Sequence, residues 1–214
     1  MRKHAGFTMV ELLVVIAIAA TLAAIAFPNI STFVKNDRLV SDANTLVGSL
    51  NYARNEAIKL GGSTSGCGGG ANSSGCVTTI CASTDGTDCS GSTNWATGWI
   101  VCDEPAASTN CTGTGATLMR SYPALVGGVT LSSQANAAGS GLGSGYFSFT
   151  SNSMLQYISG NPPSTTFVFC DSRGPSYGRE VDLQISGRAE AAQTVGYQID
   201  GATAIPSGSN ANGC

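Results

Sequence analysis

The chain opens on a short basic stretch, Met1-Arg2-Lys3-His4-Ala5-Gly6, and then becomes almost wholly apolar over residues 7–27. Glu11 is the only charge in that run, and Thr8 and Thr21 are its only other polar side chains. A helix of this length, at 1.5 Å per residue, spans about 30 Å, the hydrocarbon thickness of a bilayer. The basic leader is expected to stay on the cytoplasmic side while the remainder crosses. An ordinary secretory signal carries its small-residue cleavage site after the apolar run. Here the candidate glycine, Gly6, comes before it.

Past Pro28 the pattern turns amphipathic. Phe33, Val40 and Val47 are spaced by seven, Ala43, Leu50 and Ala57 repeat that spacing three residues on, and Leu39, Leu46, Ala53 and Leu60 widen the stripe. Lys35, Asp37, Asp42, Asn51, Asn55, Glu56 and Lys59 lie mostly off it. The spacing predicts one helix over about 7–60, its second half burying one face against a head domain. Gly61-Gly62 ends it. The heptads are too few for an independent coiled coil. Arg54 falls on the apolar register and is expected to snorkel along the face.

No helical period appears after Gly62. Short β-rich runs alternate with Gly, Ser, Asn and Thr loops at 77–82, 98–102, 117–122, 128–131, 146–150, 166–170, 180–186 and 195–199. The run 180–186 alternates most cleanly: Val181, Leu183 and Ile185 against Glu180, Asp182, Gln184 and Ser186, the pattern of a half-buried strand. Segments 63–74 and 135–145 read as low-complexity loops, and neither has the lysine of a phosphate-binding loop. The expected fold class is α+β, a long amino-terminal helix packed on a mostly antiparallel sheet. The domain reading is a leader at 1–6, a membrane helix at 7–28, its amphipathic continuation at 29–62 and a β-rich head at 63–214.

Composition sharpens this picture. Charged residues make up 11% of the chain, against roughly 25% in average soluble proteins. The only histidine, His4, lies in the leader, so removal of the leader leaves no Ser-His-Asp, Cys-His or histidine-metal chemistry. For an enzyme the remaining carboxylate clusters are Asp103-Glu104 and Asp85 with Asp88, which read as solvated loop acids. No catalytic residue, cofactor or metal site is expected.

The cysteines are Cys67, Cys76, Cys81, Cys89, Cys102, Cys111, Cys170 and Cys214. No pair is separated by only two residues, which disfavours zinc-ribbon and thioredoxin readings. An even number beyond a membrane segment suggests disulfides in an oxidising compartment. Eight cysteines allow 105 pairings. Among these the sequential scheme is adopted as the expectation: Cys67–Cys76, Cys81–Cys89, Cys102–Cys111 and Cys170–Cys214. Six of them fall between 67 and 111, where hydrophobic residues are sparse and crosslinks compensate for a weak local core.

Glu11 carries the strongest functional signal. A carboxylate in hydrocarbon is costly unless paired. Cleavage after Gly6 would supply a cation, the new amine of Phe7, either four residues away in the same helix or on a neighbouring subunit.

Gly6-Phe7-Thr8-Met9-Val10-Glu11-Leu12 resembles the processing motif of type IV prepilins. The resemblance implies that a prepilin peptidase cuts after Gly6 and methylates the Phe7 amine, and that Glu11 pairs with the amine of an adjacent subunit during filament assembly. Pro28 stands where pilins often carry a helix-kinking proline. The segment Asn51-Tyr52-Ala53-Arg54-Asn55-Glu56-Ala57-Ile58-Lys59 is similar to one in minor pilins of the FimT/FimU and GspH kind. So are Phe169-Cys170-Asp171-Ser172-Arg173-Gly174-Pro175, Gly178-Arg179 and Ser186-Gly187-Arg188.

These similarities imply a pilin-like fold and a minor pilin, a structural and assembly subunit in the tip or priming complex of a type IV pilus, supporting motility, adhesion or DNA uptake. Its partners would be other minor pilins, the major pilin and the prepilin peptidase. The chain would sit in the inner membrane with its head in the periplasm, then in a surface pilus. Two alternatives share the same helix: a minor pseudopilin of a type II secretion system, and a DNA-binding pilin of a competence pilus. For DNA, FimT-type pilins carry Gly-Arg, a variable residue and a second Arg. Here Gly187-Arg188-Ala189-Glu190 places a phosphate-repelling glutamate at the second position. Arg173, Arg179 and Arg188 are the remaining candidates, able to cluster if turns bring them together. The opposing reading pairs them with neighbouring acids. Without the leader the chain has 8 basic residues (10 minus Arg2 and Lys3) against 13 acidic, a net charge of −5, which opposes DNA.

Overall fold

The computed structural model describes residues 6, 8–60, 67, 75–105, 110–112, 115–135, 145–156, 165–174 and 177–192, with the side chains at 26–29, 135 and 192 left aside. The helix α1 runs over Met9–Leu60. Thr8 starts it, accepting the Glu11 N–H on Oγ1 at 3.2 Å and the Leu12 N–H on its carbonyl at 3.2 Å. The first of these satisfies one of the amide groups that the first turn leaves unpaired, and the second is the first regular bond of the helix. The expected stop at Gly61-Gly62 lies outside the described residues. No single helix among the described residues is long and apolar enough to cross a membrane, whereas Met9–Ile25 and Ile30–Leu60 taken together pass on length and composition. The chain divides into two compact units, Met1–Arg38 and Leu39–Cys214.

In the second unit, α1 buries Leu39, Ala43, Leu46, Leu50, Ala53 and Ala57. Their spacing alternates between four and three, so they form one narrow stripe. The seven-residue series Phe33, Val40 and Val47 is not part of it: Phe33 and Val40 are exposed and Val47 only half-buried. A stripe centred on 39, 46 and 53 rotates that series to its flank.

Among the described residues the head has eight strands, all paired antiparallel in two sheets. The first sheet contains β1 (Cys76–Ala82), β2 (Trp99–Pro105), β3 (Thr117–Tyr122) and β5 (Tyr146–Phe149), in the order β3-β2-β1-β5. The second contains β4 (Thr130–Ala135), β6 (Thr165–Cys170), β7 (Arg179–Leu183) and β8 (Ala189–Ala192), in the order β4-β6-β7-β8. A short 3₁₀ turn over Trp95–Thr97 sends Trp95 between them. Its ring lies 6.0 Å from Phe147 of β5 and 5.0 Å from Phe167 of β6, edge-on to the latter. Asn94 caps this turn, accepting the Ala96 N–H at 3.1 Å.

Every residue of β1 is buried, so the strand is covered on both faces. Directly opposed residues share a face. Ile80 opposite Val101 and Ala82 opposite Trp99 belong to the main core with Leu46, Leu50 and Ala53 of α1. There the Trp99 indole N–H donates to Ser49 Oγ at 3.0 Å, and its ring stacks on Tyr122 at 5.3 Å. Arg120 of β3 lies 4.1 Å over the Tyr52 ring of α1. The other face carries Thr79 opposite Cys102 and Cys81 opposite Ile100. On it Cys81, Ile100, Cys102 and Cys111 form a second, smaller apolar cluster.

Three disulfides are described: Cys67–Cys76, Cys81–Cys89 and Cys102–Cys111, the pairs of the sequential scheme. Cys170 is also disulfide-bonded, while Cys214 lies outside the described residues. The last two bonds of the three close the loops that lie over the second face of the first sheet. Crosslinks here stand in for a hydrophobic layer.

Several expectations are corrected. Glu180 and Asp182 do not face water: they are 1% and 7% exposed. The strand β7 lies between β6 and β8, and Asp182 accepts from Thr166 Oγ1 at 2.6 Å. The strand also ends at Leu183, so 184–188 form a turn. Asp103 and Glu104 are not loop acids but buried residues of β2, 7% and 0% exposed. Asp103 accepts from Thr78 Oγ1 at 2.7 Å, and Glu104 Oε2 accepts the Cys111 N–H at 3.0 Å. Burial is the main cause that pushes the Asp103 carboxyl above its usual range, with the Thr78 bond opposing it. The strand β8 was not anticipated from the pattern, and the expected run 195–199 lies outside the described residues.

Candidate assembly site and the head arginines

The amino-terminal site is built on the start of α1. Gly6 is exposed, with open space where a Cβ would stand; local packing imposes no glycine there. Phe7 lies outside the described residues. Thr8 and Glu11 are the first and last positions of a Thr-x-x-Glu sequence, the arrangement of a capping box. The Thr8 half of that box is made by its bond from the Glu11 amide. Glu11 is the acid of the first turn, where the partial positive charge of the helix end favours a carboxylate. Sequence reasoning passed over Thr8. The signal that could have found it was the same capping pattern, obscured by the apolar run around it.

Beyond Glu11 the apolar side chains of this stretch are exposed all round the helix. Met9, Val10, Leu12, Leu13, Val14, Val15, Ile16, Ile18, Leu22 and Ile25 each expose half or more of their surface. Apolar exposure at this density marks a surface made for lipid or for other protein.

In the head the three candidate arginines do not converge. Arg173 grips Asp171 through Nη2 at 2.6 Å and through Nε at 2.9 and 3.0 Å. Its guanidinium also lies 4.6 Å over the Tyr177 ring. Arg179 opens β7 opposite Phe169 and donates to the Gly178 carbonyl at 3.3 Å. Arg188 is paired with Glu190 at the far end of β7, where its carbonyl accepts the Gln184 N–H. Four residue steps of strand separate Arg179 from Leu183 at that end, about 13 Å at the rise of a β-strand. Two of the three guanidiniums thus hold carboxylates two residues away, which offsets their charge toward phosphate.

The motif Gly187-Arg188 has a steric role instead. Gly187 has φ +74°, and a Cβ there would collide with the Ser153 carbonyl. Ser153 in turn accepts from Arg54 Nη2 of α1 at 3.2 Å. Arg54, expected to snorkel, is half-buried and ties the helix to the loop that rests on Gly187.

Comparisons with known proteins agree with both ends of this description. The family model for the prokaryotic N-terminal methylation motif matches residues 1–27. Comparison with curated proteins gives no match. Two crystal forms of the type IV minor pilin FimU of Pseudomonas aeruginosa resemble the chain. One is 21% identical, covering 72% of this chain and 92% of FimU at a TM-score of 0.46. The other is 22% identical, covering 76% and 98% at a TM-score of 0.47. The family model for the type II transport protein GspH matches residues 42–187, from the buried half of α1 to the glycine against Ser153, and the chain belongs to this family.

Proposed function

We propose that the protein is a minor pilin, a structural subunit that enters a type IV pilus through α1 and presents its GspH-family head at or near the tip. The observation that carries this reading is the first stretch of α1. It is apolar on all sides, exposed, and carries Glu11 as its only charge, just after a glycine in a methylation motif. Cleavage after Gly6 creates an amine at Phe7, at the positive end of the helix, where a second positive charge is unfavourable. Glu11 offers the compensating carboxylate, in the same subunit or in the next. Burial among neighbouring helices removes water from both groups and strengthens their attraction. In this role the chain is a membrane-anchored precursor handled by the prepilin peptidase and then a partner of other minor pilins and the major pilin. It catalyses no reaction.

Mass spectrometry of the purified protein tests the processing step: the expected first residue is N-methylated Phe7, and a chain still beginning at Met1 overturns it. The assembly step is tested by Glu11→Ala, which is expected to leave membrane insertion intact and remove the subunit from sheared pili. Wild-type amounts in the pili refute the mechanism.

A second reading, a minor pseudopilin, is favoured by the family itself, whose description is that of a type II transport protein. In-cell crosslinking through α1 distinguishes the two by recovering pilus or secretion components. The arginine pairings argue against a DNA receptor, and the detergent-solubilised chain is expected not to shift duplex DNA at low salt.

A further inference from the structure

The two disulfides over the second face of the first sheet lie against each other. Cys81 Sγ is 3.9 Å from Cys111 Sγ, the sulfur of a different bond. The sulfurs of Cys81, Cys89 and Cys111 all fall within 4.8 Å of one another. The two loops are joined as well, since the Cys89 N–H donates to the Asn110 carbonyl at 3.2 Å. Burial is graded across the group: Cys81, Cys102 and Cys111 are buried, and Cys89 is half-exposed. Beside them Glu104 is wholly buried. One of its carboxylate oxygens lies within 4.8 Å of the Cys102 and Cys111 sulfurs. Its Oε1 has no hydrogen-bond partner among the described residues.

We propose that Cys81, Cys89, Cys102 and Cys111 form one thiol–disulfide exchange site whose substrate is a dithiol reductant presented at Cys89. A thiolate of the dithiol attacks Cys89 Sγ, the Cys81–Cys89 bond breaks, and Cys81 leaves as a thiolate. Cys81 then attacks Cys111 Sγ across the observed contact. The Cys102–Cys111 bond breaks, a Cys81–Cys111 bond forms, and Cys102 leaves as a thiolate. The second thiol of the dithiol displaces Cys89 from the mixed disulfide. Two protein disulfides and one dithiol thus become one protein disulfide, two protein thiols and one oxidised dithiol. The two protons of the dithiol end on Cys89 and Cys102.

The consequence is that reduction at the accessible sulfur does not simply open the outer loop. The covalent tie moves inward, from Cys89 to the buried Cys111, and β1, until then tied to the loop that follows it, becomes crosslinked to the loop after β2. Run in reverse, the same exchange leads from a Cys81–Cys111 intermediate to the two observed bonds during oxidative folding. Glu104 stands beside the leaving sulfur, with one carboxylate oxygen within 4.8 Å of the Cys102 and Cys111 sulfurs.

The test uses the full chain in detergent, in two samples, each quenched in acid, alkylated and digested with pepsin at low pH so that no further exchange occurs. In the first sample, Cys89→Ser leaves Cys81 without its partner; the expected product has a Cys81–Cys111 link and the alkyl label on Cys102. In the second, the wild-type chain receives less than one equivalent of dithiothreitol. Its earliest product is expected to carry the Cys81–Cys111 link with labels on Cys89 and Cys102. Cys67–Cys76 serves as the internal control. A Cys81–Cys111 peptide in the wild-type sample supports the proposal even if the variant misfolds. Labels on Cys81 and Cys89 with Cys102–Cys111 intact, and no Cys81–Cys111 peptide in either sample, overturn it.

Discussion

Residues 9–25 and 39–57 belong to one helix, yet the two stretches meet opposite fates. In the second, six small and aliphatic side chains form a narrow stripe and lose nearly all their exposure, Leu50 reaching 0%. In the first, apolar side chains cover the whole circumference, and Met9 is 90% exposed. The difference is one of patterning, not of hydrophobicity. A stripe has a dry side and a wet side, so one chain can satisfy it with its own head. A rod apolar on every side has no wet side, and its cover must come from lipid or from other subunits. The second stretch therefore stabilises a fold, and the first is left for lipid or for other subunits to cover.

Identical substitutions in the two stretches sharpen this contrast. Leu50→Ala is expected to destabilise the head by about 2–5 kcal/mol, the usual cost of a buried leucine cavity, read as a lower denaturation midpoint in detergent. A change within the noise would show that the stripe does not hold the head. Next in size comes Gly187→Ala, which drives a side chain into the Ser153 carbonyl and disturbs the loop that Arg54 grips. A loss of about 1–3 kcal/mol, the range for a strained backbone position, is expected in a thermal melt.

A smaller effect involves Asp103, close enough to Glu56 and Lys59 at the end of α1 to feel both charges. Its carboxyl titrates above the ordinary value of 3.8, so the folded state disfavours the charged form. Stability contributed by the neutral acid is present below the unfolded value and lost as pH rises through the folded one. Asp103→Asn keeps an acceptor for Thr78 and should flatten that part of the stability profile. Asp85 acts with the opposite sign: backbone N–H groups of Thr87 and Asp88 lower it to about 2. Its contribution is present above the unfolded value and lost as pH falls toward 2. A profile above pH 3.8 that Asp103→Asn leaves unchanged would contradict the Asp103 assignment, whereas the slope toward pH 2 should survive that substitution. The smallest expected effect on stability belongs to Leu13→Ala, within about 0.5 kcal/mol as for other exposed sites. Its effect should appear in pilus incorporation, and a large loss of head stability would break the comparison.

Much of this was legible in advance because it is written locally. The helix is a matter of periodicity, and its apolar beginning a matter of composition. Seven of the strands fall on or beside runs of β-branched and aromatic residues. The run 180–186 was misread because alternation reports that one face differs from the other, not that one face is wet. Glu180 and Asp182 are polar and buried, with Thr166 supplying a partner to the aspartate. The pair Asp103-Glu104 misled for a related reason: two adjacent acids look like a loop, but their partners Thr78 and Cys111 come from other segments. The arginines at 173, 179 and 188 are close in sequence, yet the length of β7 keeps the last apart from the others.

The sequence by itself determined a long helix with a lone acid near its start, an amino-terminal methylation motif ahead of it, a β-rich head and an even set of cysteines. These follow from spacing and residue chemistry within a few turns or strands. Only the tertiary structure decided which helical residues are buried, which arginines are held by acids, and that Cys81 touches Cys111. Those facts depend on strand register and on loops folding over a sheet, which bring together residues far apart along the chain.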